Sequence, residues 1–312
     1  MAEGIKEVGF IGIGTMGFSM ASNVLAGGFP VTVFDLNRAA MAALVDRGAR
    51  AAGSPREVGA ACDHVVTMLP SSPHVEEVLG GPDGVIAGMA PGGTLIEMST
   101  IDPVTTRRMA ALAEERGLRL IDAPVSGAPL KARDGTLTIM VGGDPAVLAE
   151  CRPILDLLGE NIIHVGPVGT GETVKLVNNL IAAVSMAAVA EAFNIGVRSG
   201  LDPATMYEVV SKSSGDCWCL RTRVPYPDVL SVSPANEGFA PGFMTDLMHK
   251  DIGLALAAAK SVDAPAVLGA VAEQLYRAAR AQGHGRQDFS AVATVVQALS
   301  GRDEPSPSAS PR

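Results

Sequence analysis

The sequence predicts an α/β protein in which a doubly wound, mostly parallel sheet is followed by an all-helical domain. Strand patterns and helical patterns alternate from residue 6 to about residue 168, as in sheets with crossover helices. A glycine-rich turn directly follows the first strand. Beyond Pro167 no strand pattern stands out, and a helical pattern over residues 171–200 predicts one unusually long helix between the domains.

Each element is predicted from its own pattern. Apolar runs predict strands, at residues 8–11, 30–34, 64–69, 94–98, 119–123, 135–141 and 162–165. Helical periodicity predicts further helices, at about 103–116, 203–211, 244–261 and 266–282. We therefore expect a sheet domain over 1–168, a helical domain over 169–300, and a disordered tail rich in Ser and Pro over 301–312.

Composition limits the function classes. The 312 residues suit two domains, and 47% hydrophobic with 18% charged residues is typical of a globular chain. A net charge of −9 argues against binding to nucleic acid or to an anionic membrane surface. Since we find no signal-peptide pattern and no apolar run of membrane-spanning length, we predict a cytoplasmic protein without membrane contact. The four cysteines lack metal-binding spacing, so we expect reduced thiols and no metal.

The glycine-rich turn predicts a dinucleotide site. It lies between a strand and a helix and reads Gly12-Ile13-Gly14-Thr15-Met16-Gly17. Gly12 permits the tight turn, Gly14 lets a pyrophosphate approach the backbone, and Gly17 allows close packing of helix on strand. The amides at the helix N-terminus favour phosphate oxygens. These features make the predicted sheet domain Rossmann-type.

The second predicted strand is followed by Asp35, 18 residues after Gly17, where an acid can accept hydrogen bonds from ribose hydroxyls. Its charge repels a 2′-phosphate, so we predict NAD. NADP is the weaker alternative, because the guanidinium of Arg38 could pair with that phosphate. The remaining residues of the predicted cofactor site are Asn37 beside Arg38 and, after later strands, Leu69, Pro70 and Thr100. Thr100 could instead be a helix N-cap.

Two further segments carry groups suited to a hydroxy acid. Ser126, Gly127 and Ala128 follow a strand, and their amides and hydroxyl suit a carboxylate or form an ordinary turn. Lys175 and Asn179 lie four residues apart on one face of the long helix. A neutral lysine could accept a hydroxyl proton while hydride leaves the same carbon, although these residues alone favour a solvated surface lysine.

These motifs, in this order, resemble the β-hydroxyacid dehydrogenase family over about residues 6–298. The resemblance is carried by the run from Phe10 to Val24, the loop from Asp122 to Gly127, and Gly169-Thr170-Gly171 with Lys175 and Asn179. Other segments are similar to the 3-hydroxyisobutyrate dehydrogenases within that family, namely the run from Ser213 to Trp218, Phe243, Lys250-Asp251 and Asp288-Phe289-Ser290.

The resemblance implies residue roles. Lys175 would be the general acid/base, and Asn179 would help to orient the substrate. The residues implied to contact ligands are Ser126, Gly127, Ala128, Trp218 and Phe243 for the substrate and Lys250 for the cofactor. Taken alone, Trp218 could equally pack between helices, and adjacent Lys250 and Asp251 could be surface charges.

The resemblance also implies a reaction and an assembly. The reaction is NAD-dependent oxidation of 3-hydroxyisobutyrate to methylmalonate semialdehyde, a step of valine degradation, in a homodimer or homotetramer built through the helical domains. Alternatives are a tartronate semialdehyde reductase, a serine-type β-hydroxyacid dehydrogenase or, from another class, a non-catalytic NAD-binding redox sensor. Ala182 disfavours the decarboxylating 6-phosphogluconate dehydrogenases, and Lys175 disfavours imine reductases.

Two departures from the family pattern bear on the substrate. Ala128 stands where the family usually carries a second glycine, so its methyl group would narrow the pocket or shift the backbone. The stretch after Trp218 carries arginine, ending at Arg223, where close relatives tend to carry tyrosine. An additional guanidinium could favour a second anionic group on the substrate.

Overall fold

The computed structural model describes residues 5–301, so the predicted tail lies outside the described residues apart from Gly301. The chain forms two compact units, which divide in sequence between Val177 and Asn178. The first unit contains the sheet and the second contains helices, which confirms the predicted fold class.

The first unit is built on a nine-stranded sheet. Its strands are β1 Val8–Ile11, β2 Val31–Phe34, β3 Arg50–Ala51, β4 His64–Thr67, β5 Thr94–Glu97, β6 Arg119–Asp122, β7 Val125–Ser126, β8 Leu137–Gly142 and β9 Gly159–Gly166. Six strands are parallel in the order β3-β2-β1-β4-β5-β6. Strand β8 runs antiparallel to β6 and β7, and β9 runs parallel to β8. The strands β3 and β7 were not predicted, because two residues carry no periodicity.

Helices cover both faces of this sheet. They are α1 Gly17–Ala26, α2 Arg38–Val45, α3 Pro55–Ala61, α4 Ser72–Gly80, α5 Val85–Gly88, α6 Pro103–Glu114, α7 Ala128–Asp134 and α8 Pro145–Leu155. Several begin with a short polar cap followed by proline: the side chains of Ser54, Asp102 and Asp144 accept backbone amides of their own helices at 3.2, 2.9 and 2.7 Å.

The core of the first unit forms two layers because successive strand side chains point to opposite faces. Phe10 belongs to one buried cluster and its neighbour Ile11 to the other. Val66 and Val65 on β4 divide between the clusters in the same way. The central strands β1, β4 and β5 are buried along their whole length, as expected where helices cover both faces of a doubly wound sheet.

The second unit is organised around a long helix. Its helices are α9 Thr170–Arg198, which begins in the first unit, α10 Pro203–Val210, α11 Trp218–Arg223, α12 Thr245–Ser261, α13 Val267–Ala281 and α14 Val292–Leu299. Small and aromatic side chains of several helices pack together, including Ala183 and Phe193 of α9 and Tyr276 of α13. The long helix predicted from periodicity is confirmed.

Helix α9 is more apolar than we expected from the sequence. By length and composition alone it could cross a membrane, contrary to our expectation that no such segment exists. Its residues Ala183, Met186 and Phe193 are buried in the core of the helical unit, however. The core helix of a globular unit has this composition for the same reason as a membrane span, namely burial.

Candidate active site

The glycine-rich turn lies between β1 and α1, and its three glycines meet different surroundings. Gly12 has a φ of 88°, and a side chain there would overlap the Met68 carbonyl oxygen. A Cβ on Gly17 would overlap the carbonyl oxygen of Gly12. No atom lies within 4 Å of the corresponding position on Gly14, which is exposed like Thr15. The turn therefore offers open backbone between two tightly packed glycines, which suits a pyrophosphate.

Asp35 follows β2 and joins it to the glycine turn. Its Oδ2 accepts the amide hydrogen of Ile13 at 2.7 Å, and its Oδ1 accepts that of Asn37 at 2.7 Å. Each carboxylate oxygen keeps a second lone pair for a ribose hydroxyl. The side chain of Asn37 caps α2, and Arg38 begins that helix in an exposed position.

The ends of β4 and β5 are joined through Ser99. Its hydroxyl accepts the amide hydrogen of Leu69 at 2.8 Å, which fixes the turn that contains Pro70. Thr100 follows Ser99 but does not cap α6, so that alternative is wrong. The cap is Asp102, whose carboxylate accepts the amide of Val104 at 2.9 Å.

Two buried carboxylates at the ends of β5 and β6 had no separate role in the sequence prediction. Glu97 and Asp122 are partners in the strand register, and neither is exposed. Burial raises the pKa of Glu97 to about 7, and burial also raises the pKa of Asp122 above its ordinary value. Asp122 accepts amide hydrogens from Gly169 at 2.7 Å and Glu172 at 2.9 Å, and these bonds oppose its shift.

The predicted carboxylate loop joins β7 to α7. Ser126 ends β7, where it pairs with Thr138 of β8. Gly127 has a φ of 146°, and Ala128 has a φ of 59°, in the left-handed region. An alanine in that region costs on the order of 1–2 kcal/mol relative to its preferred conformation. Ala128 thus occupies a conformation that glycine adopts without strain, which explains why glycine suits this position.

Lys175 lies in the second turn of α9. It is 7% exposed, so the interpretation as a solvated surface lysine is wrong. Lysine is rarely buried to this degree, and burial of an ionisable side chain is a mark of functional sites.

Asn179 is oriented by Asp251, to which the sequence analysis assigned no role. Its Nδ2 donates to Asp251 Oδ2 at 2.6 Å, and its Oδ1 accepts from Asn178 at 3.0 Å. The other Asp251 oxygen lies 3.2 Å from the Nζ of Lys250. Asp251 is buried, so the adjacent charges are not a simple surface pair. Lys250 therefore lies against an acid of its own helix.

Trp218 is not packed between helices. It is 52% exposed, and the guanidinium of Arg223 lies 4.4 Å from its ring centroid. Arg223 is buried and forms an ion pair with Asp288, which holds no exposed surface. The expectation that Arg223 attracts a second anionic group is therefore wrong, because an internal acid already neutralises its charge.

Phe243 is held by the same acid. Its amide donates to Asp288 at 3.0 Å, and its ring meets that of Phe289 edge to face, with the centroids 5.9 Å apart. Asp288 thus fixes the backbone of Phe243 and also the guanidinium of Arg223, which lies against Trp218. Phe243 and Trp218 are both predicted substrate residues.

Two family profiles match consecutive parts of the chain. Residues 7–166 match the NAD-binding domain of 6-phosphogluconate dehydrogenase, and residues 169–296 match the family described as NAD-binding of NADP-dependent 3-hydroxyisobutyrate dehydrogenase. The probable mitochondrial 3-hydroxyisobutyrate dehydrogenase of Dictyostelium discoideum is 44% identical over 287 residues, which cover 92% of this chain and 89% of that protein. The chain belongs to the β-hydroxyacid dehydrogenase family.

Further similarities extend over nearly the whole chain. The NAD-dependent L-serine dehydrogenase of Pseudomonas aeruginosa is 43% identical over 96% of this chain and 100% of that protein. The structure of Mycobacterium tuberculosis 3-hydroxyisobutyrate dehydrogenase with L-serine has a TM-score of 0.89 and 38% identity, covering 94% of this chain and 99% of that one. The predicted family is confirmed, and this family member is an NAD(P)-dependent dehydrogenase. Its cytoplasmic location stays a prediction.

Replacing Asp35 with Ala is expected to weaken NAD binding and to relax the preference against NADP. The lost carboxylate can accept the ribose hydroxyls and repel a 2′-phosphate. Calorimetric titration with each cofactor gives the ratio of the two dissociation constants. Asp46→Ala, at the exposed end of α2, is the matched control. An unchanged ratio in Asp35→Ala would remove Asp35 from the ribose site.

Proposed function

We propose that this dehydrogenase oxidises 3-hydroxyisobutyrate to methylmalonate semialdehyde with NAD, and that Lys175 is the general acid/base. The observation that carries the proposal is the burial of Lys175 one helical turn before Asn179, which is also buried. An amine and a carboxamide on one helix face supply a proton acceptor and a hydrogen-bonding group for an alcohol. The matched families support the same class of reaction.

Each proposed residue has a distinct task. The neutral amine of Lys175 accepts the hydroxyl proton, and its ammonium returns that proton in the reverse direction. The Ser126 hydroxyl and the backbone at Gly127 donate to the substrate carboxylate. Asn179, held by Asp251, orients the substrate. NAD, when bound, supplies the hydride acceptor, and the glycine turn with the acid after β2 would hold it.

A second candidate substrate is L-serine. One relative is named as an L-serine dehydrogenase, and the structure of another family member contains L-serine. Serine differs from 3-hydroxyisobutyrate by an ammonium in place of a methyl group. The ring of Trp218, one of the proposed substrate residues, already faces the guanidinium of Arg223 at 4.4 Å, so a second cation gains little there, whereas a methyl group gains from apolar contact.

Replacing Lys175 with Ala should lower turnover roughly 10²–10⁴-fold, the usual scale for loss of a general acid/base. Because the variant leaves the glycine turn intact, NAD should still bind with unchanged affinity. Steady-state rates and a cofactor titration on the same preparation separate the two effects. Lys260→Ala, in the last turn of α12, is a control for loss of a lysine. Near-normal turnover of Lys175→Ala would show that Lys175 is not the general acid/base.

The substrate can be identified from initial rates on a panel of acids with NAD and NADP. The panel holds 3-hydroxyisobutyrate, 3-hydroxypropionate, L-serine and glycerate, with tartronate semialdehyde tested in reverse. We expect the highest kcat/KM for 3-hydroxyisobutyrate with NAD. A higher value for L-serine would keep the mechanism and replace the substrate, while no turnover across the panel would contradict both.

We further propose that the protein is a homo-oligomer, a dimer or tetramer, assembled through its helical unit. Ile181 and Ile195 of α9 are 62% and 65% exposed, and Ala188 lies exposed midway between them. Apolar residues seven positions apart form a stripe along one side of a helix, as in helices that pack against another helix. A second copy presents the same stripe and can cover it by twofold symmetry.

The double variant Ile181→Asp with Ile195→Asp should lower the mass in solution to that of one 32.0 kDa chain, because charges would be buried in the interface. Size-exclusion chromatography with light scattering measures this mass. Val262→Asp, at a 72% exposed position outside the stripe, should leave the mass unchanged. A wild-type protein that is already monomeric would contradict the proposal.

A further inference from the structure

The first turn of helix α9 is attached to the sheet by a buried carboxylate. Asp122 ends β6, and its two oxygens separately accept the amide hydrogens of Gly169 and Glu172, at 2.7 and 2.9 Å. These amides belong to the group that a helix N-terminus leaves without intrahelical partners. The acid is fully buried, so the two bonds replace the water that its charge would otherwise require.

Two glycines leave room for this carboxylate. A Cβ on Gly142 would lie 2.5 Å from Asp122 Oδ1, and a Cβ on Gly171 would lie 2.8 Å from Asp122 Oδ2. Real Cβ atoms do not approach this closely, so any other residue would displace the acid or the helix. The sequence therefore provides both the acceptor and the space in which the helix meets it.

A second acid of the same turn adds to this attachment. The side chain of Glu172 is buried, and its Oε2 accepts the amide hydrogen of Ile101 at 3.2 Å, in the segment after β5. The helix turn thus donates to the end of β6 and accepts from the chain after β5. Both connections are made within the first unit.

This arrangement differs from the acidic helix caps at Asp102 and Asp144. Asp102 and Asp144 accept amides two residues away, and so fix only the start of their own helices. Asp122 reaches Gly169 across 47 residues of sequence. A local cap stabilises a helix wherever it lies, whereas a cap from a strand end also determines where the helix lies relative to the sheet.

We propose that Asp122 is a positioning residue for Lys175: it holds the first turn of α9 against β6 and thereby sets the place of the lysine amine. This inference rests on the proposed role of Lys175. Lys175 is three residues beyond Glu172, less than one helical turn, so a shift of that turn moves the lysine with it. A misplacement of about 1 Å can cost 10²-fold in rate.

A double-mutant cycle tests the inference on the full-length enzyme. Asp122→Asn keeps the shape of the side chain but presents an NH₂ group to one of the two amides. We expect its kcat to fall roughly 10–100-fold, with the NAD dissociation constant changed less than about twofold. In the Lys175→Ala background the same substitution should change kcat less than about twofold, because the residue it positions is already absent.

Asp144→Asn is the matched control, since it removes an acidic cap from α8 of the same unit. It should lower the melting temperature but leave kcat unchanged, both in the wild-type background and in the Lys175→Ala background. If Asp122→Asn does not fold, Asp122→Ser keeps one hydrogen-bond acceptor, and the cycle is measured on that variant. If neither variant binds NAD, Asp122 serves the fold as a whole and the inference fails.

The outcomes separate this inference from the proposed function. Normal turnover of Lys175→Ala contradicts the proposed function itself. If Lys175→Ala is inactive but Asp122→Asn has normal kcat, the inference alone fails. Equal losses from Asp122→Asn in both backgrounds would show a general structural effect, and would likewise overturn positioning.

Discussion

The contact on which the site depends is the one between a buried strand-end acid and the start of the long helix. Burying a carboxylate costs several kcal/mol unless hydrogen bonds replace its water. Asp122 therefore needs the two amides at the start of α9 as donors, and the start of the helix needs Asp122 as their acceptor. The register places Glu97 beside Asp122, and burial of Glu97, with a smaller contribution from the charge of Asp122, raises the pKa of Glu97 to about 7.

The helical unit follows the same principle with different acids. Asp251 holds the carboxamide of Asn179, and Asp288 holds both Arg223 and the amide of Phe243. Both acids are buried, and each contacts at least one predicted substrate residue: Asp251 contacts Asn179, and Asp288 contacts Phe243. A carboxylate accepts several hydrogen bonds at fixed angles, so one buried acid can orient more than one neighbour. The residues proposed to touch the substrate are therefore oriented by others that do not.

Most of the fold could be predicted from the sequence because its signals are local. Strand β1, the glycine turn and helix α1 follow one another within residues 8–26, and their order gives the cofactor-binding element without tertiary information. The long helix was predicted from uninterrupted periodicity. Strands β3 and β7 were not, since two residues in a strand are specified by the neighbours they pair with.

The sequence by itself determined the class of sheet, the glycine turn with Asp35, and the presence of Lys175 and Asn179 on one helix face. Only the tertiary structure decided that Lys175 is buried, that Arg223 is neutralised by Asp288, and that Asp251 accepts a hydrogen bond from Asn179. Asp251 does share the buried face of α12 with Met248, Ile252 and Ala255, so an acid within an apolar stripe was a signal available in the sequence. The physical reason for the difference is range. Turns, caps and periodicity depend on residues a few positions apart, whereas the pairing of a buried charge depends on chain segments that folding alone brings together.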